Sequence, residues 1–394
     1  MAEHLSQWVE RCRRCGRAWT LADRRWSCAC GGLLDLQRMP AGGAAPAGGA
    51  APAGGGLPWS IWRYRHTLPT GEGGSWRRVT MGEGMTPLVA VGRPVCPGAP
   101  TAGSGVWLKL DHVMPTGSFK DRGAAVMMAL AADLGLERVV ADSSGNAGKS
   151  VAAYAARAGI EVEVHVPAAT PATKSSAMEA YGAIVVRVDG DREAAASAAR
   201  RRVEETGAWW ASHVYQPVFA HGVKTLAFEI WEQLGGRAPG AVVVPAGNGT
   251  LVLGLWLGFR ELEAAGALTA LPSIIAVQSE GCAPLAGGTA GGTAGGTAGG
   301  SAGARLTVAA GIAVASPPRG SEVRAAVLAS AGRVWTVADK AILAARADLA
   351  RMGMAVEPTG AVAWAGLASW RDAVRSGTAS ASHGGPTVVV VSGH

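Results

Sequence analysis

Short apolar runs alternate with longer segments of helical period from residue 106 to the last residues of the chain. Runs of four or five apolar positions predict strands at 106–110, 138–141, 162–166, 184–188, 241–244, 274–277 and 387–391. Helices are predicted at 119–134, 148–158, 173–181, 191–206, 218–234, 251–264, 321–331, 339–352 and 359–374. Strands that are apolar on both faces and alternate with helices are the mark of buried parallel sheets. The expected fold class is therefore α/β, built of doubly wound open sheets with helices on both faces. Ligands of such sheets bind beyond the strand C-termini, where loops feed helix N-termini.

One stretch, 241–259, carries no charged side chain and has about the length of a membrane span. Pro245, Gly247, Asn248, Gly249 and Thr250 interrupt it, so it reads as strand, polar loop and helix. Residues 1–14 carry acids and no apolar segment, so no signal peptide is expected and the chain is placed in the cytoplasm.

Composition changes the picture at two places. Of the 394 residues 57 are Gly and 21 Pro, well above the average of about 12% for the two together. Part of the excess is low-complexity: an AAPAGG-based linker at 41–56 and a GGTA repeat at 287–303, expected to be a flexible insertion. The net charge is +7, yet only six of the 36 basic residues are lysine and none of the arginine groups forms a long run. A nucleic-acid partner is not expected.

Four of the six cysteines crowd the first 30 residues. Cys12 and Cys15 form one pair, Cys28 and Cys30 a second. Two short-loop thiolate pairs are the usual supply for a tetrahedral zinc ion, and four thiolates leave no open position, so a structural site is expected. Cys96 and Cys282 have no partner in the pattern.

Four Gly- or hydroxyl-rich loops lie in this α/β frame: 116–123, 143–148, 246–250 and 392–394. The loop 246–250 follows a strand and opens a helix, where free N–H groups and the helix dipole favour a phosphate. Gly247 and Gly249 permit close backbone approach there, and Thr250 adds a hydroxyl. Lys120 stands at the start of an apolar helix, after a Gly-Ser turn.

The order GEGMTPL (82–88), LKLDHVMPTGSFKDRG (108–123), SSGNAG (143–148), PAGNGT (245–250), VEPTGA (356–361) and VVSGH (390–394) resembles the fold type II pyridoxal-phosphate enzymes. Within that group it is most similar to threonine synthase, over residues 57–394. The N-terminal cysteine pattern is similar to the zinc-ribbon lead-in of some threonine synthases.

The resemblance implies a two-domain enzyme with its cofactor between the domains. It implies a ribbon at 1–40, a large cofactor domain from 57–130 and 216–394, and a smaller domain at 131–215. Lys120 would carry the cofactor as a Schiff base and move the α proton. Gly247, Asn248, Gly249 and Thr250 would hold its phosphate, Asn146 its ring hydroxyl and Ser392 its pyridine nitrogen, with Phe119 beside Lys120. A neutral hydroxyl at the ring nitrogen suits elimination or replacement over transamination. An amino-acid substrate would meet Ser118, Ser143, Ser144, Gly145, Ala147, Lys149 and His213, with Glu357 near the ring. A homodimer is the family's habit.

The implied reaction turns O-phospho-L-homoserine and water into L-threonine and phosphate. The resemblance breaks where the family serves the substrate phosphate. His213-Val214 replaces an Asn-Ser pair there and Phe219 an Arg; elsewhere Ala147 replaces a Thr whose hydroxyl helps hold substrate in the family. Phe cannot replace a bidentate phosphate ligand. Lys149, Lys224, His213 and His221 are the candidates for substitute charge. The alternative is β-elimination or β-replacement on serine, threonine or another activated amino acid.

Overall fold

The computed structural model describes residues 5–39, 58–70, 74–91, 105–287, 307–377 and 384–394. The linker expected at 41–56, all but the first residue of the insertion expected at 287–303, and Cys96 lie outside the described residues.

The strands along the chain are β1 (Trp8–Cys12), β2 (Ala18–Thr20), β3 (Leu34–Arg38), β4 (Leu88–Ala90), β5 (Val106–Lys109), β6 (Arg138–Ala141), β7 (Glu161–Pro167), β8 (Ile184–Val188), β9 (Trp209–Trp210), β10 (Ala241–Pro245), β11 (Ser273–Ser279), β12 (Arg333–Val337) and β13 (Thr387–Val390). The helices are α1 (Ser75–Val79), α2 (Lys120–Asp133), α3 (Asn146–Ala158), α4 (Ala172–Ala180), α5 (Arg192–Thr206), α6 (Val218–Val223), α7 (Thr225–Gln233), α8 (Thr250–Ala264), α9 (Gly320–Ala329), α10 (Asp339–Arg351) and α11 (Pro358–Arg375). The chain divides into two compact units.

The first unit contains the described residues up to Gly84 and Lys120–Val223. Its N-terminal sheet is antiparallel in the order β2-β1-β3. Its second sheet is parallel, in the order β8-β7-β6-β9. Asp191 caps α5, its carboxylate accepting from the N–H groups of Glu193 and Ala194 at 3.0 Å each. Gly159 and Gly207 end α3 and α5 in the left-handed conformation.

The second unit contains Met85–Phe119 and Lys224–His394. One six-stranded sheet, β12-β11-β10-β13-β5-β4, runs through it, parallel except for the edge pair β4–β5. All five residues of β10 are buried, as a central parallel strand requires. Its core joins Val243, Val277 and Val389 of the sheet to Val362 and Leu367 of α11. Pro358 opens α11 at a position that needs no backbone donor.

The helix expected over 218–234 is two helices, α6 and α7, broken at Lys224. A side chain at Gly222 would come within 2.1 Å of the Arg122 carbonyl, so α6 is pressed on the first turn of α2. The carbonyl of Lys224 is pressed instead on Gly258 of α8. The chain leaves one unit and enters the other at this residue, and each half-helix packs in its own core. Among the described strands, the ribbon strands β1 to β3, the edge strand β4 and the two-residue β9 escape the periodicity reading. β12 escapes it too, because its alternation is short. No helix among the described residues is long and apolar enough to cross a membrane.

Candidate active site

In the first unit, the catalytic candidates gather at the C-terminal edge of the parallel sheet. Lys120, half-buried, is the first residue of α2. Its neighbour Asp121 is fully buried and accepts from Ser150 Oγ at 2.6 Å, tying the start of α2 to α3. The loop from Ser143 runs from β6 into α3. A side chain at Gly148 would lie 1.9 Å from the Ser143 carbonyl, so only glycine permits this tight return. Gly145 caps α3 without a side-chain bond, while Ser143 Oγ accepts from its N–H at 3.3 Å. The first-turn N–H groups of α3 thus suit an anion such as a carboxylate. Ser143 and Ala147 are buried; Ser144, Asn146 and Lys149 are half-buried.

His213 follows β9 and is 7% exposed. Burial first, then the positive charges of Lys120 and Arg192, hold its imidazole well below the ordinary histidine pKa. It is neutral at neutral pH, so it does not supply the substitute positive charge considered from the sequence. Phe219 is fully buried, edge-on to His213 with centroids 5.9 Å apart, and its ring covers Gly123 of α2. His221 is committed elsewhere: its Nε2 lies 3.0 Å from the Leu36 carbonyl and its ring is edge-on to Trp8. Among the described residues, the ammonium of Lys149 has no hydrogen bond or ion pair.

In the second unit three loops emerge from the C-terminal ends of the adjacent strands β10, β13 and β5. Residues 246–249 lead from β10 into α8, whose cap Gly249 has φ +79°. A side chain at Gly247 would meet Ile312 Cα at 2.9 Å, and one at Gly249 would meet Val323 Cγ2 at 2.1 Å. No side chain caps the first turn of α8. Its backbone donors and the Thr250 hydroxyl therefore form a cradle fitted to a phosphate.

The C-terminal residues 392–394 pair with the loop before Lys120. Phe119 N–H donates to the Ser392 carbonyl at 3.1 Å and His394 N–H to the Gly117 carbonyl at 2.9 Å. The Ser118 hydroxyl is buried with no hydrogen-bond partner among the described residues, which leaves it able to bond a ligand. Glu357 caps α11. A side chain at Gly360, three residues on, would lie 2.3 Å from the Gly393 carbonyl. Lys224 is buried and bonded to Glu261 at 2.8 Å, so it too is committed.

The four N-terminal cysteine sulfurs all lie within 4.8 Å of one another, with Cys12–Cys30 and Cys15–Cys28 each at 3.5 Å. Tetrahedral Zn–S bonds of about 2.3 Å would put sulfurs about 3.8 Å apart. The set fits a zinc ion. Burial opposes ionisation of Cys12, but backbone donors at Cys15 and Arg14 and the Cys30 thiol bring it down to about 6.

Several groups here escape sequence reading. Asp142, next to the Ser143 loop, accepts from Trp210 Nε1 at 3.2 Å. Burial pushes its carboxyl pKa up, against the pull of Arg192 and of bonds from Trp210 and Ser212. Its place directly before SSGN is the only sequence signal for it. Arg192 had none, since its charge reaches Asp142 and His213 only through the fold.

The profile of the pyridoxal-phosphate-dependent enzymes matches residues 79–393, and the chain belongs to that family. Within it, this is a threonine synthase-like lyase of fold type II. It is 30% identical over 361 residues to the threonine synthase of Methanocaldococcus jannaschii, covering 91% of this chain and 86% of the relative. It is 34% identical over 314 residues to the threonine synthase of Mycobacterium leprae, covering 79% and 82%. Among solved structures, a threonine deaminase from T.th. matches with TM-score 0.57 and 30% identity, covering 73% of this chain and 86% of that one. Maize serine racemase matches with TM-score 0.64 and 25% identity, covering 81% and 91%.

Proposed function

We propose that this chain expels a leaving group from the side chain of a small amino acid, with Lys120 carrying the cofactor and moving the α proton. The observation that carries the proposal is the setting of Lys120, at a helix start beside a neutral imidazole and an anion-binding loop. Bound pyridoxal phosphate supplies the electron sink for the charge left at Cα. Gly247, Asn248, Gly249 and Thr250 hold its phosphate; Asn146 and Ser392 hold its ring, with Phe119 against it. The N–H groups of 143–148, with Ser143 and Ser144, hold the substrate carboxylate. Ser118 offers its hydroxyl to the bound ligand. Burial and the charges of Lys120 and Arg192 make His213 a poor proton acceptor, which leaves Lys120 as the base next to Cα. The four cysteines hold a structural zinc. A homodimer in the cytoplasm is the expected setting.

Two leaving groups follow from different observations. The relatives support phosphate, released from O-phospho-L-homoserine as water adds to form L-threonine. The wall beside Lys120 favours a second reading. His213 is neutral and Phe219 is apolar where the resemblance places the phosphate ligands, and Ala147 lacks the hydroxyl that helps hold substrate in the family. A buried phosphate dianion draws its binding from charge-assisted donors. β-Elimination or β-replacement on serine, threonine or a related activated amino acid needs none there, and this geometry fits it best. Under the phosphate reading Lys149 and Arg192 are the cations left to act.

Absorbance near about 410 nm after addition of pyridoxal phosphate, lost in Lys120→Ala, tests the cofactor assignment. Phosphate release from O-phospho-L-homoserine, measured against 2-oxo acid release from serine and threonine, separates the two readings. Turnover of phosphohomoserine alone refutes the second; 2-oxo acid release alone refutes the first.

A further inference from the structure

The segment 209–223 is held at both ends by the cysteine-bearing N-terminal module. At its start, Trp210 meets Trp26 edge-on at 4.8 Å and stacks on Tyr215 at 4.7 Å. Trp26 meets Tyr215 at 5.7 Å. Gln216 Nε2 donates to the Arg25 carbonyl at 3.5 Å. At its end, buried His221 bonds to the Leu36 carbonyl at 3.0 Å and meets the Trp8 ring edge-on at 5.0 Å. His213, Val214 and Phe219, the changed positions of this segment, lie between these anchors.

The anchors reach the chemistry by short paths. Trp210 donates to Asp142, the residue before the Ser143 loop. Gly222 lies on the Arg122 carbonyl and Phe219 on Gly123, both in the first turn of the helix that Lys120 opens. On the other side, the cluster around the cysteines is small: Cys12, Cys28 and Leu34, with Trp19 and Cys30 packed against them. A module that small depends on a metal or a disulfide to stay folded.

We infer that the ribbon is a positioning module for the substrate wall: when metal folds it, Trp26 and the Leu36 carbonyl fix segment 209–223. His221 and Trp26 are positioning residues in this scheme. The inference rests on reading His213 and Phe219 as the substrate wall.

The test strips zinc from the full, cofactor-loaded chain with a chelator and follows amide hydrogen exchange. Expected is loss of protection at 209–223 together with 8–38, while 250–264 in the other unit stays protected. Unchanged protection at 209–223 after the metal has left overturns the inference, whatever the substrate. A second arm titrates the cofactor absorbance with serine, threonine and O-phospho-L-homoserine. His221→Ala is expected to weaken amino-acid binding about two- to tenfold, the worth of one buried hydrogen bond, with the cofactor spectrum retained. His221→Gln, which can still donate to the Leu36 carbonyl, is expected to restore most of it. Lost protection with unchanged amino-acid affinity also overturns the inference, by showing that the wall does not contact substrate. Absence of any spectral change with every amino acid is a failure of the enzyme reading, which the exchange arm does not share.

Discussion

The ring of Phe219 lies edge-on to that of His213, centroids 5.9 Å apart, and fills the space a side chain at Gly123 would need. Two residues of one short segment and the distant Gly123 therefore form one wall at the first turn of the Lys120 helix. The wall is neutral: burial and the charges of Lys120 and Arg192 keep His213 unprotonated.

That neutrality fixes a pH dependence. The unfolded chain binds a proton at His213 below about pH 6.5, whereas the fold refuses it. The stability tied to His213 is thus fully present above pH 6.5 and drains as pH falls towards the lowered folded value. Melting curves at pH 7.5 and 5.5 should show a larger acid loss in the wild type than in His213→Gln. Equal losses would falsify the assignment.

Gly123 and Phe219 should be strongly coupled. Phe219→Ala removes a fully buried phenyl and should cost about 3–5 kcal/mol. Gly123→Ala puts a methyl 2.5 Å from the ring and should cost about 1–3 kcal/mol. In the double variant the methyl enters the vacated space, so the combined cost in a urea titration should fall below the sum. Additive costs would count against the packing described.

The two glycines of the 143–148 loop should respond differently. Gly148→Ala sets a methyl 1.9 Å from the Ser143 carbonyl, a backbone atom that cannot turn away. Its loss of stability should be at least about 1–3 kcal/mol, with weaker amino-acid binding. Gly145→Ala meets no atom within 4 Å at an ordinary φ of −110° and should fold normally. Calorimetry of both variants checks the contrast.

In the second unit, Lys109 and Glu229 form a fully buried ion pair at 2.7 Å, and the ammonium also bonds to the Thr86 carbonyl and Gln233. Lys109→Met leaves the carboxylate buried without its partner and should cost about 3–5 kcal/mol. Adding Glu229→Leu removes that charge and should recover most of the loss. A double variant no more stable than Lys109→Met would show that the pair is not the cause.

The cysteine set predicts one zinc per chain by elemental analysis. Thiol titration of the native protein should find the four sulfurs of Cys12, Cys15, Cys28 and Cys30 unreactive until a chelator is added. Free reaction of all four before chelation would exclude the metal site.

The α/β class, the strands β6 and β8 at the predicted residues, and the loops 143–148 and 246–250 were legible in the sequence because each depends on local patterning. Apolar runs make strands, and glycines before helices make loops that open a helix, with little help from distant residues. The four cysteines were legible for the same reason: two short spacings bring sulfurs together almost without help from the rest of the chain. Folding decided which charges remain available. Lys224 and His221 look like spare cations in the sequence. Tertiary contacts commit the first to Glu261 and the second to the Leu36 carbonyl, while burial leaves His213 uncharged. The break at Lys224 was hidden as well, since helix period continues through it and only packing in two separate cores divides it. Local spacing determined which chemical groups this chain carries; their protonation and their partners depend on burial and on residues as far as 37 and 185 positions away.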